Sequence, residues 1–405
     1  MNIYFSGISG TALAPLAQLA ADAGYHVAGS DLASGAAAAE LAAKGIEIHY
    51  GTQDGKFMQE QFDKNHIDWF VYTSALPANH PELELAKKLG LKTSKRDELL
   101  SKIISDQNLK LIAVAGTHGK TTTTSMLIWA CHQLQIPISY SVGSTLSWAK
   151  SGEFNPSAKY FIYEADEYDR NFLNFHPDIS IITTEDYDHA DTYPTREDYH
   201  AAFEQFRAQS KVVIADTSIL PDITLVGELR RYDASLAFHA IKHIYSDDDA
   251  QIINALNTFP GAGRRFERLT NNIYTDYAHH PKEISATVKM ARELADKSGF
   301  KGLAVIYQPH QNIRQHEVKA DYKDAFKDAD KIFWLPTYLT REDPNLPIIK
   351  SQELIATLSN AEKAQAADLD DALATTIKNL SSDNWLILLM TAGTADAWIR
   401  QQITR

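Results

Sequence analysis

Short apolar runs alternate with polar, helix-forming stretches along the whole chain, and that order predicts an α/β protein built on parallel strands. Asn2 to Phe5 reads as the first strand, followed by the turn Gly7-Ile8-Ser9-Gly10-Thr11-Ala12 and an Ala/Leu-rich helix through Ala23. A second strand, Tyr25 to Ser30, ends at Asp31, and more are expected at Asp68 to Tyr72 and near Leu91-Lys92-Thr93. The polar run Ser105-Asp106-Gln107-Asn108 reads as a linker. A second unit opens with the apolar run Leu111 to Ala115. Its further strands are Tyr160 to Tyr163, Ile179 to Thr184 and Lys211 to Asp216, with a helix from Tyr232 to Ile244. Beyond the Gly-rich junction Pro260-Gly261-Ala262-Gly263, a third unit alternates again. It runs through strand Ile273 to Asp276, helix Pro281 to Asp296, and strands Leu303 to Gln308, Lys331 to Leu335 and Trp385 to Met390. The Lys- and Asp-rich stretch from Lys319 to Lys331 reads as a solvated helix face. The expected architecture is three domains, over residues 1–108, 109–262 and 263–405: Rossmann-like, P-loop NTPase-like and Rossmann-like.

The chemistry concentrates at the ends of strands. Gly116-Thr117-His118-Gly119-Lys120-Thr121 lies between a strand and the helical run that includes Ser125 to Ala130. Such a loop binds phosphate: glycines let backbone N–H groups approach the oxygens, and the helix N-terminus adds a favourable partial charge. Lys120 would reach the outer phosphates and the Thr121 hydroxyl would help hold Mg²⁺. The generic pattern has a glycine where this chain has Val114. After the next strand, Glu164-Ala165-Asp166-Glu167-Tyr168-Asp169 places four carboxylates in six residues, and these cannot all be buried unpaired. Glu185 to Asp191, with His189, follows a third strand. Ligands bind at the carboxyl ends of strands in open α/β sheets, so Lys120, Thr121, Glu164 and His189 are expected along one edge. In the first turn Ser9 and Ala12 replace two glycines of the dinucleotide fingerprint, which leaves a diphosphate as good a fit as a dinucleotide.

Composition narrows the partners. At 405 residues, with 44% hydrophobic and 22% charged residues, the chain is a multidomain globular protein. A formal charge of −13 disfavours nucleic acid. The single cysteine, Cys131, excludes an internal disulfide framework and reads as a packed thiol. With no export signal and no run long enough to cross a membrane, the expectation is a cytoplasmic monomer or homodimer.

Five motifs then occur in one order: Ala115 to Thr124; Glu164-Ala165-Asp166-Glu167; Asp188-His189-Ala190-Asp191-Thr192-Tyr193; Gly263-Arg264-Arg265-Phe266-Glu267; and Asp276-Tyr277-Ala278-His279-His280-Pro281. The series resembles the Mur ligases of peptidoglycan synthesis over essentially the whole chain. The resemblance implies ATP-dependent amide synthesis with Mg²⁺. The γ-phosphoryl group passes to the carboxylate of UDP-N-acetylmuramate, and the amine of an amino acid displaces phosphate from the acyl phosphate. It implies that Gly116, Thr117, His118, Gly119, Lys120, Thr121 and Thr122 bind ATP, with Arg265 and Asp276 contacting it from the third domain. Thr121 and Glu164 would bind one Mg²⁺ and His189 a second. Gly7, Ser9, Gly10, Thr11, Asp31 and Ser74 would take the UDP moiety, and His280, His310 and Arg314 the amino acid. His279 and His280 follow Asp276 at a strand end and could approach the reacting centre. Gln308-Pro309-His310 points to L-alanine as acceptor; a preformed tripeptide, and a non-catalytic binding member of the family, are the alternatives. The chain departs from the family at Gly227, where Leu229 and Arg230 stand for a usual His-Asn pair and Asp233 for a second Asn. Gln311 follows His310 where Arg is typical.

Overall fold

A computed structural model describes all residues except Thr11, Ala36, Ser74, Ala190, Asp191, Ser246, Asp247, Arg341, Thr404 and Arg405. Packing groups the chain into two compact units, Met1–Thr217 with Leu236–Leu256, and Ser218–Ser235 with Asn257–Arg405.

The first unit contains two sheets. Strands β1 (Asn2–Ser6), β2 (His26–Asp31), β3 (Glu47–Tyr50), β4 (Trp69–Tyr72) and β5 (Lys92–Ser94) form a parallel sheet in the order β3-β2-β1-β4-β5. The order reverses at β1, the topological switch where doubly wound folds open a crevice, and the turn at Gly7 leaves β1 there. Strands β6 (Lys110–Ala115), β7 (Ile138–Ser141), β8 (Gly152–Glu153), β9 (Tyr160–Glu164), β10 (Ile179–Ile182) and β11 (Val212–Ile214) form the second, in the order β11-β10-β6-β9-β7-β8. Only the β7–β8 pair in it is antiparallel. The strand order in the sheet therefore puts β6 between β9 and β10, whose C-terminal ends flank the end of β6. One apolar cluster, including Phe5, Leu16, Ile103, Phe161, Phe172 and Phe203, runs through both sheets of this unit.

Two buried polar networks pin these sheets. Glu82, 1% exposed, accepts hydrogen bonds from Tyr4 (2.8 Å), Ser6 (2.6 Å), Ser30 (2.8 Å) and Gln53 (3.4 Å). Arg96 and Asp97, at the start of the helix Arg96–Asp106, reach across to the hydroxyl of Tyr163 in β9. Burial drives the Tyr163 phenol well above its ordinary pKa, which keeps it a proton donor to Asp97.

The second unit has one sheet, of β12 (Glu267–Arg268), β13 (Ile273–Asp276), β14 (Leu303–Gln308), β15 (Lys331–Trp334), β16 (Ala364–Ala366) and β17 (Leu386–Thr391). Their order is β12-β13-β17-β14-β15-β16, parallel except at β12. Every residue of β14 and β17 is buried, as expected for central parallel strands covered on both faces.

Two expectations need correction. Ser105 and Asp106 are not linker but the last turn of the helix Arg96–Asp106, where Asp106 pairs with Lys102; the chain turns at Asn108, with φ +52°. The helix after the phosphate loop takes in Ser125 to Ala130 as expected, and it begins at Lys120, which brings Thr121 and Thr122 onto its first turn. In the stretch Lys319 to Lys331 the charged side chains Lys319, Lys323, Asp324 and Lys327 are solvated as expected, but the backbone is a short 3₁₀ segment and turns rather than a helix, with Tyr322, Ala325, Phe326 and Ala329 packed into the core. Among the described residues, no helix is long and apolar enough to cross a membrane.

Candidate active site

The phosphate loop leaves β6 at Ala115, and Gly116 carries it past the end of β10. A Cβ on Gly116 would lie 2.2 Å from the Thr183 hydroxyl oxygen and 2.9 Å from the Thr184 nitrogen, and its φ is +135°, so only glycine fits. Val114, standing where the generic pattern has its first glycine, is simply a buried residue of the strand. The loop is then stapled to the segment after β10. Thr117 N–H donates to Thr184 O (3.0 Å), the Thr117 hydroxyl donates to Asp186 O (2.7 Å), and Asp186 N–H donates back (2.9 Å). His118 takes part through its backbone, its N–H donating to the Thr184 hydroxyl at 2.9 Å. Gly119, at φ +86°, caps the helix Lys120–Gln133. The first N–H groups of that helix have no intrahelical acceptor and form a natural anion site.

Two carboxylates organise the polar side chains here. At the end of β9, Glu164 accepts from the Thr121 hydroxyl (2.7 Å) and from Gly143 N–H (2.7 Å). Glu167, 1% exposed, lies 2.8 and 2.7 Å from the Lys120 ammonium, which also donates to Gly116 O at 2.6 Å. His189 Nε2 is 3.5 Å from the same Glu167 carboxylate. A left-handed backbone at His189 (φ +57°) presents the ring; Asp188 accepts from its N–H, and its carbonyl accepts from Thr192 and Tyr193. The bond to Glu167 raises the His189 pKa above its ordinary value. Lys120, Thr121, Glu164 and His189 thus share one edge, in two groups: Thr121 with Glu164, and Lys120 and His189 with Glu167. Among the described residues, no group of three or more His, Cys, Asp or Glu is arranged to hold a metal ion. Thr122 is half-buried on the first helical turn.

The first sheet offers a second loop. Gly7, at φ +85°, donates to Ser30 O (2.8 Å) at the end of β2. Asp31 accepts from Ser9 N–H and Leu32 N–H, each at 2.8 Å, and Gly10 N–H donates to Gly7 O. Gly7, Ser9, Gly10 and Asp31 therefore belong to one turn at the switch point; Thr11 and Ser74 lie outside the described residues.

In the second unit, Asp276 ends β13 and accepts from Phe266 N–H and Ala278 N–H, each at 2.7 Å. Burial raises its pKa, and the nearby Arg265 charge opposes that. Arg265 rests on the Tyr277 ring, its guanidinium carbon 5.0 Å from the centroid. His280 caps the helix Pro281–Ser298, and its N–H and that of His279 both point at Glu283. His279 is largely buried, and this lowers its pKa; its Nδ1 lies 3.1 Å from Tyr277 O. His310 stacks on Tyr338 (5.8 Å, 21°) and its Nδ1 lies 3.2 Å from Arg314 Nη1. Since arginine can only donate, Nδ1 is the acceptor and the ring is neutral. Burial first, then the Arg314 charge, push its pKa down to about 4. Sequence reasoning missed Glu283 and Glu342; the latter accepts from Asn312 N–H (2.9 Å) at the start of the helix carrying Arg314. Of the departures, Leu229 is exposed, Asp233 is buried, and Arg230 packs its guanidinium between Phe259 (5.6 Å) and Phe266 (5.8 Å).

Family models match in chain order: the Mur ligase family catalytic domain over residues 2–108, the Mur ligase middle domain over 114–228, and the Mur ligase glutamate ligase domain over 264–393. A UDP-N-acetylmuramate–L-alanine ligase of Lactobacillus acidophilus is 30% identical across 97% of this chain and 96% of that protein. The enzyme of the same name from Renibacterium salmoninarum is 28% identical across 98% and 93%. Among solved structures, a UDP-N-acetylmuramate–alanine ligase from Thermotoga maritima aligns with a TM-score of 0.76 at 22% identity, covering 100% of this chain and 99% of that one. A murein peptide ligase from Psychrobacter arcticus aligns at 0.57 and 21%, covering 100% and 98%.

Proposed function

The chain belongs to the Mur ligase family, and from that premise we propose that it joins L-alanine to the carboxylate of UDP-N-acetylmuramate, with ATP converted to ADP and phosphate. The observation that carries the reading is the shared strand edge on which Lys120 and the Thr121–Glu164 pair meet the anion-binding helix N-terminus. A carboxylate is a poor electrophile. Transfer of the γ-phosphoryl group to one of its oxygens makes that oxygen a leaving group, and the amine then attacks the carbonyl carbon, releasing phosphate and a proton. Two anions must meet in the first step, so positive charge and backbone N–H groups carry much of the catalysis.

In this reading Gly116, Thr117, His118, Gly119 and Thr122 wrap the nucleotide phosphates, and Lys120 holds the outer ones. Thr121 and Glu164 supply hard oxygen donors of the kind Mg²⁺ takes. When bound, that ion neutralises phosphate charge. His189 is the proposed donor to a second ion. Arg265 and Asp276 are proposed nucleotide contacts, and Gly7, Ser9, Gly10 and Asp31, with Thr11 and Ser74, the UDP site. His280, His310 and Arg314 are proposed for the amino acid; the Arg314 guanidinium suits a carboxylate bidentately. The proposed compartment is the cytoplasm, where ATP is available.

The test supplies UDP-N-acetylmuramate, ATP and Mg²⁺ with either alanine or the tripeptide, and follows phosphate release and amide formation. Alanine-dependent turnover that Lys120→Ala abolishes is the expected result. Turnover with tripeptide alone, or none with either, overturns the proposal.

A further inference from the structure

The acidic run after β9 contains one carboxylate whose task the reading above leaves open. Glu167 is nearly inaccessible to solvent, yet both its oxygens face the Lys120 ammonium, and Oε1 also faces His189 Nε2 at 3.5 Å. We propose that Glu167 is a positioning residue: it holds Lys120 while the phosphate loop is empty, and it anchors His189 once nucleotide phosphates draw the lysine away. The inference rests on the ligase reading for what Lys120 and His189 do.

The geometry supports a shared and exchangeable carboxylate. The Lys120 ammonium is a compact charge with three donors, and it divides them between Glu167 and the carbonyls of Gly116 (2.6 Å) and Thr117 (3.4 Å). Both Glu167 oxygens lie against the one Lys120 ammonium, at 2.8 and 2.7 Å, and Oε2 has no other donor. The pair is held by charge, so a nucleotide phosphate of higher charge can compete for the lysine. The backbone of Glu167 is fixed meanwhile, since its carbonyl accepts from the Tyr193 hydroxyl at 2.5 Å. A carboxylate so enclosed cannot be left without a partner. Among the described residues, the other basic side chain within 4 Å is the His189 imidazole, whose Nε2 faces it. Departure of Lys120 would therefore concentrate the Glu167 charge on the imidazole and fix its orientation at the moment the phosphates arrive.

Glu167→Gln keeps the size of the side chain and removes the charge that competes for Lys120. In a titration with ADP or ATP and Mg²⁺, this variant is expected to bind roughly threefold or more tightly than the wild type. Its kcat in the alanine reaction is expected to fall about tenfold or more, because His189 loses its charged anchor. A residue that merely supports the fold would weaken both. Glu167→Asp keeps the charge but draws it back from His189, so it should show near-wild-type nucleotide affinity with a lowered kcat. It also carries the test if the glutamine variant fails to fold. Weaker nucleotide binding by Glu167→Gln, or an unchanged kcat in either variant, overturns the proposal. If the wild type ligates neither alanine nor tripeptide, the ligase reading has failed. The nucleotide titration then still decides whether Glu167 competes for Lys120, and unchanged affinity in Glu167→Gln answers no.

Discussion

The Thr121 hydroxyl donates to Glu164 at 2.7 Å, tying the first turn of the helix after the phosphate loop to the end of the neighbouring strand β9. The pair brings two oxygen donors together at the proposed Mg²⁺ position. Thr121→Ala should raise the Mg²⁺ concentration needed for half-maximal velocity about tenfold, while Thr121→Ser stays close to the wild type. Initial rates across a Mg²⁺ series check this; equal Mg²⁺ dependence in Thr121→Ala and wild type would remove Thr121 from the site.

Gly116 leaves no room for a side chain. In Gly116→Ala the added methyl meets Thr183 and the Thr184 backbone while φ is held in a region alanine avoids. A loss of ~2–4 kcal/mol of stability is expected, together with nucleotide affinity. Urea unfolding and an ATP titration measure the two effects, and a variant that binds ATP normally would contradict the loop geometry.

Arg230 tests whether a departure from the family pattern is structural. Burial lowers its pKa to about 10, and its Nε is buried without a hydrogen-bond partner. Its packing between two phenylalanines then matters more than its charge. Arg230→Met should be as stable as the wild type within about 1 kcal/mol, or more stable, whereas Arg230→Ala should fall ~2 kcal/mol below the methionine variant. Denaturant midpoints of the two variants decide it. A methionine variant as weak as the alanine variant would mean that the charge is what counts.

His310 gives a pH signature. Its pKa is about 4 in the folded protein, against an ordinary 6.5. Above 6.5 the ring is neutral whether the chain is folded or not, and it contributes nothing to the pH dependence. As the pH falls from 6.5 towards 4, the unfolded chain takes up a proton that the native ring refuses, and stability is lost. His310→Gln removes that loss, so its melting temperature relative to the wild type should rise between pH 7.5 and pH 5. A constant difference across that range would refute the shifted pKa.

Local motifs were legible where neighbours in sequence do the work. Lys120 and Thr121 follow Gly119 directly, and Glu164 ends a strand adjacent to theirs, so strand order alone carried them to one edge. Glu167 was visible only as one of four clustered carboxylates; its partners lie 47 and 22 positions away, and a loop path over that distance leaves no local pattern. The charged face of Lys319 to Lys331 is solvated as read, and its inward residues Tyr322, Ala325, Phe326 and Ala329 keep the spacing of a helix, yet the backbone there is a short 3₁₀ segment and turns, a difference the side-chain pattern does not carry. The apparent linker failed for a related reason: Ser105 and Asp106 are polar because they occupy the end of a helix, where Asp106 pairs with Lys102 and Tyr25.

The carboxylate of Glu82 has a consequence for how the first sheet assembles. It is buried, and its donors Tyr4 and Ser6 on β1 and Ser30 on β2 lie on one face of that sheet, in the register that pairs Ser6 with Ser30. A slip of one residue between β1 and β2 would turn part of that set to the opposite face. The buried carboxyl group would then lack some of its donors, and an unsatisfied buried polar group costs free energy. Glu82 belongs to neither strand, yet its donors are complete only in the alignment that sets the Gly7 turn at the crevice.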